Sequence, residues 1–268
     1  KKMDGVNSFY WNLARAFFGV STVCASLGII CNSLIFITTI RTRALRATYN
    51  ILIAVCALAD VFHQCGTLVQ IPFLFGYYLE IESKLCDAIL FLPEMGIAIG
   101  CTCILCIGLD RMISVLFSIR YRVFNKTYYH LALGSIVIGY CAYLCCLMTT
   151  FYRPQRVLCQ VMAPYPDEGI VWFASANLLV NVVSTVVYFI MWLGLRSNAD
   201  SKVMKRIVKS LLIIVTVDVS GWILTPGLVQ LSQHLDIEPQ QKFAWAYFSI
   251  IFVNLALSMK LFIYYFTR

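Results

Sequence analysis

Charged side chains are scarce in this sequence. Asp, Glu, Lys and Arg make up only 13% of its 268 residues, whereas 60% are hydrophobic. Soluble domains carry about a quarter charged residues, so the composition excludes an ordinary soluble domain and predicts a polytopic membrane protein. Histidine is scarcer still, with three residues. The sequence contains neither a Ser/His pairing nor a cluster of metal ligands, which argues against a membrane enzyme and against a metal site.

Long apolar stretches are abundant. Seven of them reach the roughly 20 residues that a helix needs to cross the hydrocarbon core of a bilayer. They must be helices, because an isolated strand would leave its backbone hydrogen-bonding groups unsatisfied in lipid. We therefore expect one domain, an all-α membrane protein with a bundle of seven transmembrane helices. The expected spans lie at about residues 12–41, 47–79, 84–119, 128–152, 169–197, 202–234 and 240–267.

Basic residues concentrate in alternate loops. The loops after spans one, three and five hold arginines and lysines such as Arg41, Arg120 and Lys205, whereas acidic residues such as Glu80 and Asp167 lie in the opposite loops. Loops rich in Lys and Arg stay in the cytoplasm. We therefore expect the N-terminus outside the cell and the C-terminus inside. The net charge of +8 then belongs to a membrane surface, and we expect no nucleic-acid partner.

Cysteine is abundant, with twelve residues. Ten of them lie inside the apolar spans, where Cys behaves as a small hydrophobic core residue. The other two, Cys86 and Cys159, fall on the outer side, one at the head of span three and one in the loop before span five. Because the cell exterior is oxidising, we expect a disulfide between them that fixes this loop across the mouth of the bundle.

A set of motifs follows the order and spacing of one receptor family. The set comprises Asn32, Asp60, Cys86, Asp110-Arg111-Met112, Trp222, Pro226 and Ile263-Tyr264. It resembles the rhodopsin-like (class A) G-protein-coupled receptors over essentially the whole chain. The strings at residues 45–53 and 220–222 are most similar to the nematode serpentine chemoreceptors, class sx. The resemblance implies a chemoreceptor without enzyme activity or cofactor, in the plasma membrane, including that of a sensory cilium.

Four further ionisable residues interrupt the predicted spans: Asp60, Glu94, Asp218 and Lys260. Charged groups are costly in lipid and are functional candidates by default. In the family's arrangement, the position of Lys260 lies beside the aspartate of span two, with span six close by. The resemblance therefore implies an ion pair between Lys260 and Asp60, with Asp218 as a second partner. Both a purely structural ion pair and an activation switch are consistent with this arrangement.

Asp110 and Arg111 are expected to form a lock at the inner end of span three. Its release on activation would let span six swing outward, with Trp222 and Tyr264 as parts of the same switch. A retinal cofactor is not expected, because the Schiff-base lysine of the opsins corresponds to Asn254 in this chain. Besides Arg111, the G protein is expected to contact four basic residues: Lys202, Lys205, Arg206 and Lys209. The same four residues are expected to lie near anionic lipid.

The ligand is expected in the outer half of the bundle, between the helices and under the loop. The side chains expected there are a mixture of aromatics, amides and one acid, which favours a small amphipathic ligand of the odorant or pheromone class. The short segment before span one also favours a small ligand. If the ligand carries a carboxylate, the nearest cations are Arg153 and Arg156 in the second outer loop. The remaining candidate ligand-binding residues are Gln70, Phe73, Tyr77, Glu94, Asn177, Trp222, Gln230, Tyr247, Ile250 and Asn254.

The expected partners are a small extracellular ligand, a heterotrimeric G protein and membrane lipid, and a homodimer or a heterodimer with another receptor is left open. The alternative function is a seven-helix ligand-gated channel or transporter. That function would need a polar path through the membrane. Here the charges cluster at one depth, and Trp222 would block the centre.

Overall fold

The computed structural model describes residues 8–45, 47–76, 80–198 and 202–267. Within these ranges it leaves out the side chains of residues 8, 44, 118, 122, 195–198, 202–211, 233, 239 and 267. The described chain is almost entirely helical. Its α-helices are α1 (Ser8–Arg41), α2 (Thr48–Val69), α3 (Ile71–Phe75), α4 (Ser83–Leu116), α5 (Ser118–Val123), α6 (Lys126–Thr150), α7 (Gly169–Asn198), α8 (Lys202–His234), α9 (Pro239–Ser258) and α10 (Lys260–Thr267). A single 3₁₀ turn, Arg43–Leu45, follows α1.

Six helical stretches are long and apolar enough to cross a membrane, and the pair formed by α9 and α10, bent by 40°, makes the seventh. This confirms the expected seven-helix bundle. The spans correspond to α1, α2 with α3, α4, α6, α7, α8, and α9 with α10. Helix α5 lies in the short connection between α4 and α6.

Span two is broken where a continuous helix was expected. Helix α2 ends at Val69, and α3 begins at Ile71 with Pro72 in its first turn. Proline has no backbone N–H, so Pro72 cannot continue the hydrogen-bond ladder of α2. Gln70 caps both helices, and its carbonyl accepts from the backbone N–H groups of Phe73 and Leu74.

Glycine permits close contact between two pairs of helices. A Cβ added to Gly96 in α4 would lie 2.6 Å from Ala59 O and from His63 N in α2. A Cβ added to Gly221 in α8 would lie 3.0 Å from Phe252 O in α9. These distances are shorter than a van der Waals contact, so the backbones of both pairs touch directly.

The loop between α6 and α7 folds back over one end of the bundle. Its strand β2 (Arg156–Val157) pairs antiparallel with β1 (Ile81–Glu82), with Ile81 opposite Val157. Cys86 at the head of α4 forms a disulfide with Cys159 in this loop. Phe73 and Leu90 pack around the disulfide. We call this the disulfide end of the bundle.

Candidate functional site

A lysine and two aspartates meet in the centre of the bundle. Lys260 Nζ lies 2.6 Å from Asp60 Oδ2 and 2.9 Å from Asp218 Oδ2. The three residues come from α10, α2 and α8, and are 4%, 2% and 0% exposed, respectively. We call them the ion triad. It brings together the three residues that the family resemblance implied as partners, and it ties spans two, six and seven to one another.

Buried amides extend the polar centre towards α1. Asn32 Nδ2 donates to Gln64 Oε1 at 3.4 Å and to Leu257 O at 3.2 Å. A Cβ on Gly28 would lie 2.0 Å from Gln64 Nε2, so Gly28 leaves the space that Gln64 fills. Gln64 lies one helical turn from Asp60 on the same face of α2, a spacing that could have identified it from the sequence.

Asn254 joins three spans. Its Nδ2 donates to Ser21 Oγ at 2.9 Å, and its Oδ1 accepts from Thr67 Oγ1 at 3.4 Å. This residue was expected to face the ligand, but its side chain is buried and its polar atoms are engaged with α1 and α2. Its hydrogen bonds position spans one, two and seven relative to one another.

Trp222 contacts a histidine that the sequence analysis did not select. The rings of His63 and Trp222 have centroids 5.5 Å apart and a mutual tilt of 33°. His63 is buried and lies three residues after Asp60, so it occupies the next turn of α2 towards the disulfide end. The pair links α2 to α8 directly above the ion triad.

The lock residues carry a dense set of hydrogen bonds. Arg111 Nε donates to Asp110 Oδ2 at 2.9 Å, and both side chains are buried. Tyr121 OH and Tyr129 OH donate to the other carboxylate oxygen at 2.8 Å and 3.1 Å. The guanidinium carbon of Arg111 lies 4.2 Å from the ring centroid of Tyr49, a cation–π contact. Arg111 is thus held on both sides.

The two tyrosines come from different elements, Tyr121 from α5 and Tyr129 from α6. Partial burial and the hydrogen bond to Asp110 raise the pKa of Tyr121 to about 12. The phenol therefore stays protonated and donates to the carboxylate at physiological pH. The sequence motif suggested the pairing of Asp110 with Arg111 but contained no signal for the tyrosines.

Beside the ion triad lies a cavity of about 20 Å³, lined by Lys260, Tyr264 and Tyr188 among others. A site of this size holds one water molecule. Tyr188 OH donates to Ile104 O at 3.1 Å, so its ring is fixed between α7 and α4. Tyr264, an expected switch residue, lines the same cavity as Lys260 and so lies next to the ion triad.

At the disulfide end, the loop inserts a tyrosine into the bundle. Tyr165 OH donates to Glu94 Oε2 at 3.0 Å, and its ring stacks on Phe173 with centroids 4.5 Å apart. Burial and the neighbouring Glu94 raise the pKa of Tyr165, so its phenol is a donor. Glu94 is 0% exposed, and its Oε1 has no hydrogen-bond partner among the described residues. A buried acceptor in this state can accept a hydrogen bond from a ligand.

Three other expected ligand-binding residues are part of the packed core. Asn177 Oδ1 accepts from Cys101 Sγ at 3.4 Å, and its Nδ2 donates to Phe173 O within α7. Tyr247 and Ile250 pack in the apolar cluster between α1 and α9.

The other candidates lie apart from Glu94. Gln70 is buried at the break of span two, where its Nε2 donates to Gly66 O at 3.3 Å. Gln230 is exposed on α8. Tyr77 lies outside the described residues. The structure describes the backbone of α8 at Lys202, Lys205, Arg206 and Lys209, but not their side chains.

The two loop arginines face solvent. Arg153 Nε lies 3.6 Å from Asp167 Oδ2, with both side chains largely exposed. Arg156 Nη2 donates to Glu80 O at 2.9 Å. The structure thus places both cations on loop groups and not beside the buried residues around Glu94.

A third arginine, missed by the sequence analysis, lies within α1. Arg15 is half-buried; its Nε donates to Leu74 O at 3.0 Å. Its guanidinium carbon lies 5.3 Å from the Trp11 ring and 6.0 Å from the Phe75 ring. The sequence signal that could have identified Arg15 is its position as a charged residue close to the start of the first predicted span.

Comparison with protein families decides the assignment. Residues 25–268 match the family described as serpentine type 7TM GPCR chemoreceptor Srsx. The chain belongs to this family. The match covers the ion triad, the lock and the disulfide, and it confirms the resemblance to the nematode chemoreceptors. This Srsx chemoreceptor is a multi-pass membrane receptor. No curated protein matches the chain significantly.

Proposed function

We propose that this chemoreceptor binds a small amphipathic extracellular molecule, of the odorant or pheromone class, and activates a heterotrimeric G protein. The disulfide end faces the exterior, and the end that carries Arg111 and the basic start of α8 faces the cytosol. The alternation of basic and acidic loops supports this orientation. The observation that carries the proposal is the ion triad, because it joins α8 to two other spans at a single buried point.

The triad has the chemistry of a releasable contact. Lys260 Nζ donates a hydrogen bond to Asp60 and also contacts Asp218 in α8. When α8 moves outward, the ammonium keeps Asp60 as its counter-ion, so the movement does not leave an unpaired cation in the core. The cost that remains is the desolvation of Asp218, which water entering the opened cleft would offset. A purely structural triad would keep the same contacts with and without ligand, whereas an activation switch has two states with different ligand affinities.

The ligand pocket that we propose centres on Glu94. A ligand with a hydrogen-bond donor would satisfy Glu94 Oε1 and compete with Tyr165 for the carboxylate. Because Tyr165 belongs to the loop and the ring of Phe173 belongs to α7, displacement of the tyrosine would move the loop relative to α7. Trp222 packs against the same apolar cluster as Tyr165, so the displacement would reach α8 directly.

The test is a screen of small amphipathic molecules in cells that lack other chemoreceptors, read out as nucleotide exchange on the G protein. We expect active molecules to lose potency in the Glu94→Gln receptor. The matched control is Glu82→Gln, because Glu82 is an exposed acid on β1, at the same disulfide end of the bundle as Glu94. If an active molecule has the same potency on the Glu94→Gln and Glu82→Gln receptors, the proposal that the pocket centres on Glu94 is wrong. Ligand-dependent ion flux in liposomes without a G protein would favour a channel instead.

A further inference from the structure

A groove opens between α4 and α6 near the disulfide end. Its volume is about 700 Å³, within the range of small-molecule sites. Helix α4 contributes residues at positions 84, 87, 88 and 91, and α6 contributes residues at positions 145, 148 and 149. Tyr152, two residues after the end of α6, completes the lining. The α4 set follows the i, i+3, i+4, i+7 spacing and the α6 set the i, i+3, i+4 spacing, so each is one continuous stripe along its helix. The groove is separate from Glu94 and from the ion triad.

The groove is polar at one end and apolar at the other. Because α4 and α6 run antiparallel, the start of α4, with Lys84 and Asp87, lies at the same level as Thr149 at the end of α6 and Tyr152 just beyond it. Phe91 on α4 and Cys145 on α6 lie deeper along the bundle. Positions 84 and 91 are roughly 10 Å apart along the helix axis at about 1.5 Å per residue. An occupant therefore needs a polar head and an apolar tail that runs parallel to the helices.

The groove opens towards the membrane and not towards the interior of the bundle. Phe91 is 49% exposed, whereas Met148 is buried and forms the floor. A molecule in the surrounding bilayer can therefore enter sideways, with its apolar chain already in the hydrocarbon region. This geometry favours a membrane lipid as the occupant.

The polar end presents hydrogen-bond acceptors. Asp87 Oδ1 is buried and has no hydrogen-bond partner among the described residues. Thr149 Oγ1 donates its proton within α6, to Cys145 O at 3.1 Å and to Cys146 O at 2.9 Å. Its lone pairs are left to accept. Buried acceptors such as Asp87 Oδ1 are normally satisfied, and Thr149 is exposed, so the head of the occupant should carry N–H or O–H donors.

The charges at the polar end have both signs. Asp87 favours a cationic group, and Lys84, one turn away on the same face, favours an anionic group. A purely cationic amphiphile would be repelled by Lys84, and a purely anionic one by Asp87. A zwitterionic head satisfies both.

We propose that this groove binds a phospholipid with an ethanolamine head. The primary ammonium donates to Asp87 and Thr149, the phosphate lies beside Lys84, and an acyl chain packs on Phe91 and Met148. A choline phospholipid has the same charges but no N–H group, so it offers the Asp87 carboxylate no hydrogen-bond donor. The site therefore discriminates between two abundant zwitterionic lipids by hydrogen bonding.

The first test needs no substitution. The purified receptor is given equal amounts of lipids carrying ethanolamine, N-methylethanolamine, N,N-dimethylethanolamine and choline heads, and bound lipid is measured by native mass spectrometry. We expect binding to fall as the N–H groups are replaced, by roughly tenfold from ethanolamine to choline, the equivalent of one charge-assisted hydrogen bond. Equal binding of the ethanolamine and choline lipids would overturn the proposal.

Variants locate the site. Asp87→Asn should remove the preference for ethanolamine over choline, and Glu82→Gln, an exposed acid outside the groove, should keep it. Ala88→Trp should fill the groove and reduce the binding of both lipids. An unchanged preference in Asp87→Asn would overturn the assignment, and if that variant does not fold, the methylation series decides.

Lys84→Gln separates a phospholipid from a simple amine. If the occupant is a phospholipid, this variant should bind ethanolamine lipid more weakly and dodecylammonium more strongly. If both ligands bind more strongly in the variant, the groove is an amine site and the phospholipid proposal is wrong.

Discussion

Replacing Lys260 with Met removes the only cation of the ion triad and keeps a side chain of similar length. Two buried carboxylates, Asp60 and Asp218, then lose the ammonium that lies 2.6 Å and 2.9 Å from them. Removing one partner of a buried ion pair costs about 3–5 kcal/mol, because the remaining charge stays uncompensated. Here two carboxylates remain, so we expect a loss of stability at the upper end of that range.

The assay is thermal unfolding of the purified receptor in detergent. Lys260→Met should melt well below the wild type. The matched control is the triple variant in which Lys260→Met is combined with Asp60→Asn and Asp218→Asn, since a neutral group of similar shape restores most of the stability that a broken pair loses. A melting temperature of Lys260→Met equal to that of the wild type would refute the reasoning. So would a triple variant no more stable than Lys260→Met.

The same variant distinguishes a switch from a structural pair. If the triad holds α8 in its resting position, basal nucleotide exchange per folded Lys260→Met receptor should differ from that of the wild type. Asp218→Asn should change basal exchange in the same direction with a smaller loss of stability, because Lys260 keeps Asp60. Lower stability with unchanged basal exchange in both variants would make the triad purely structural.

Three further predictions concern packing, the lock and the disulfide. Gly96→Ala should destabilise the receptor by about 1–3 kcal/mol, because the new Cβ meets the backbone of α2. Gly139→Ala has open space around its Cβ and should not lower the melting temperature. Equal melting temperatures of the two variants would contradict the close contact between α4 and α2. Tyr129→Phe removes a hydrogen bond to Asp110 and should raise basal nucleotide exchange; an exchange rate equal to that of the wild type would mean that Tyr129 does not restrain the lock. Cys159→Ser should lower the free energy of unfolding by about 2–5 kcal/mol, because the disulfide is lost. A reducing agent should lower the melting temperature of the wild type to that of the variant and should leave the melting temperature of the variant unchanged.

The fold could be predicted from the sequence because lipid imposes a strong constraint. Every span needs about 20 apolar residues and internally satisfied hydrogen bonds, so composition alone defines helices and their number. The breaks within spans depend on single residues. Pro72 carried the signal for the break between α2 and α3, but the apolar pattern continues through it. The bend before Lys260 has no comparable signal in the sequence.

The site could be predicted only in part. Ionisable residues within apolar spans are conspicuous, so Asp60, Glu94, Asp218 and Lys260 were accessible to sequence reasoning. The contact of Tyr165 with Glu94 was not, because a loop without periodicity contains no information about which of its side chains enters the bundle. The tilted ring contact of His63 with Trp222 likewise depends on how α2 and α8 are rotated, which only tertiary packing decides.

We expect the proposed movement of α8 to pivot at the close contact of Gly221 with α9. Asp218 lies one turn from Gly221, on the side of Arg111 and the basic start of α8, so a rotation about that contact would move Asp218 away from Lys260. Ile214 and Val215, one turn farther, line the 20 Å³ cavity with Tyr188 and Tyr264. Incomplete packing there lowers the number of dispersion contacts that an outward swing must break. The proposed outward movement of α8 would therefore have to break the contact between Asp218 and Lys260, and the adjoining cavity lowers the cost in packing.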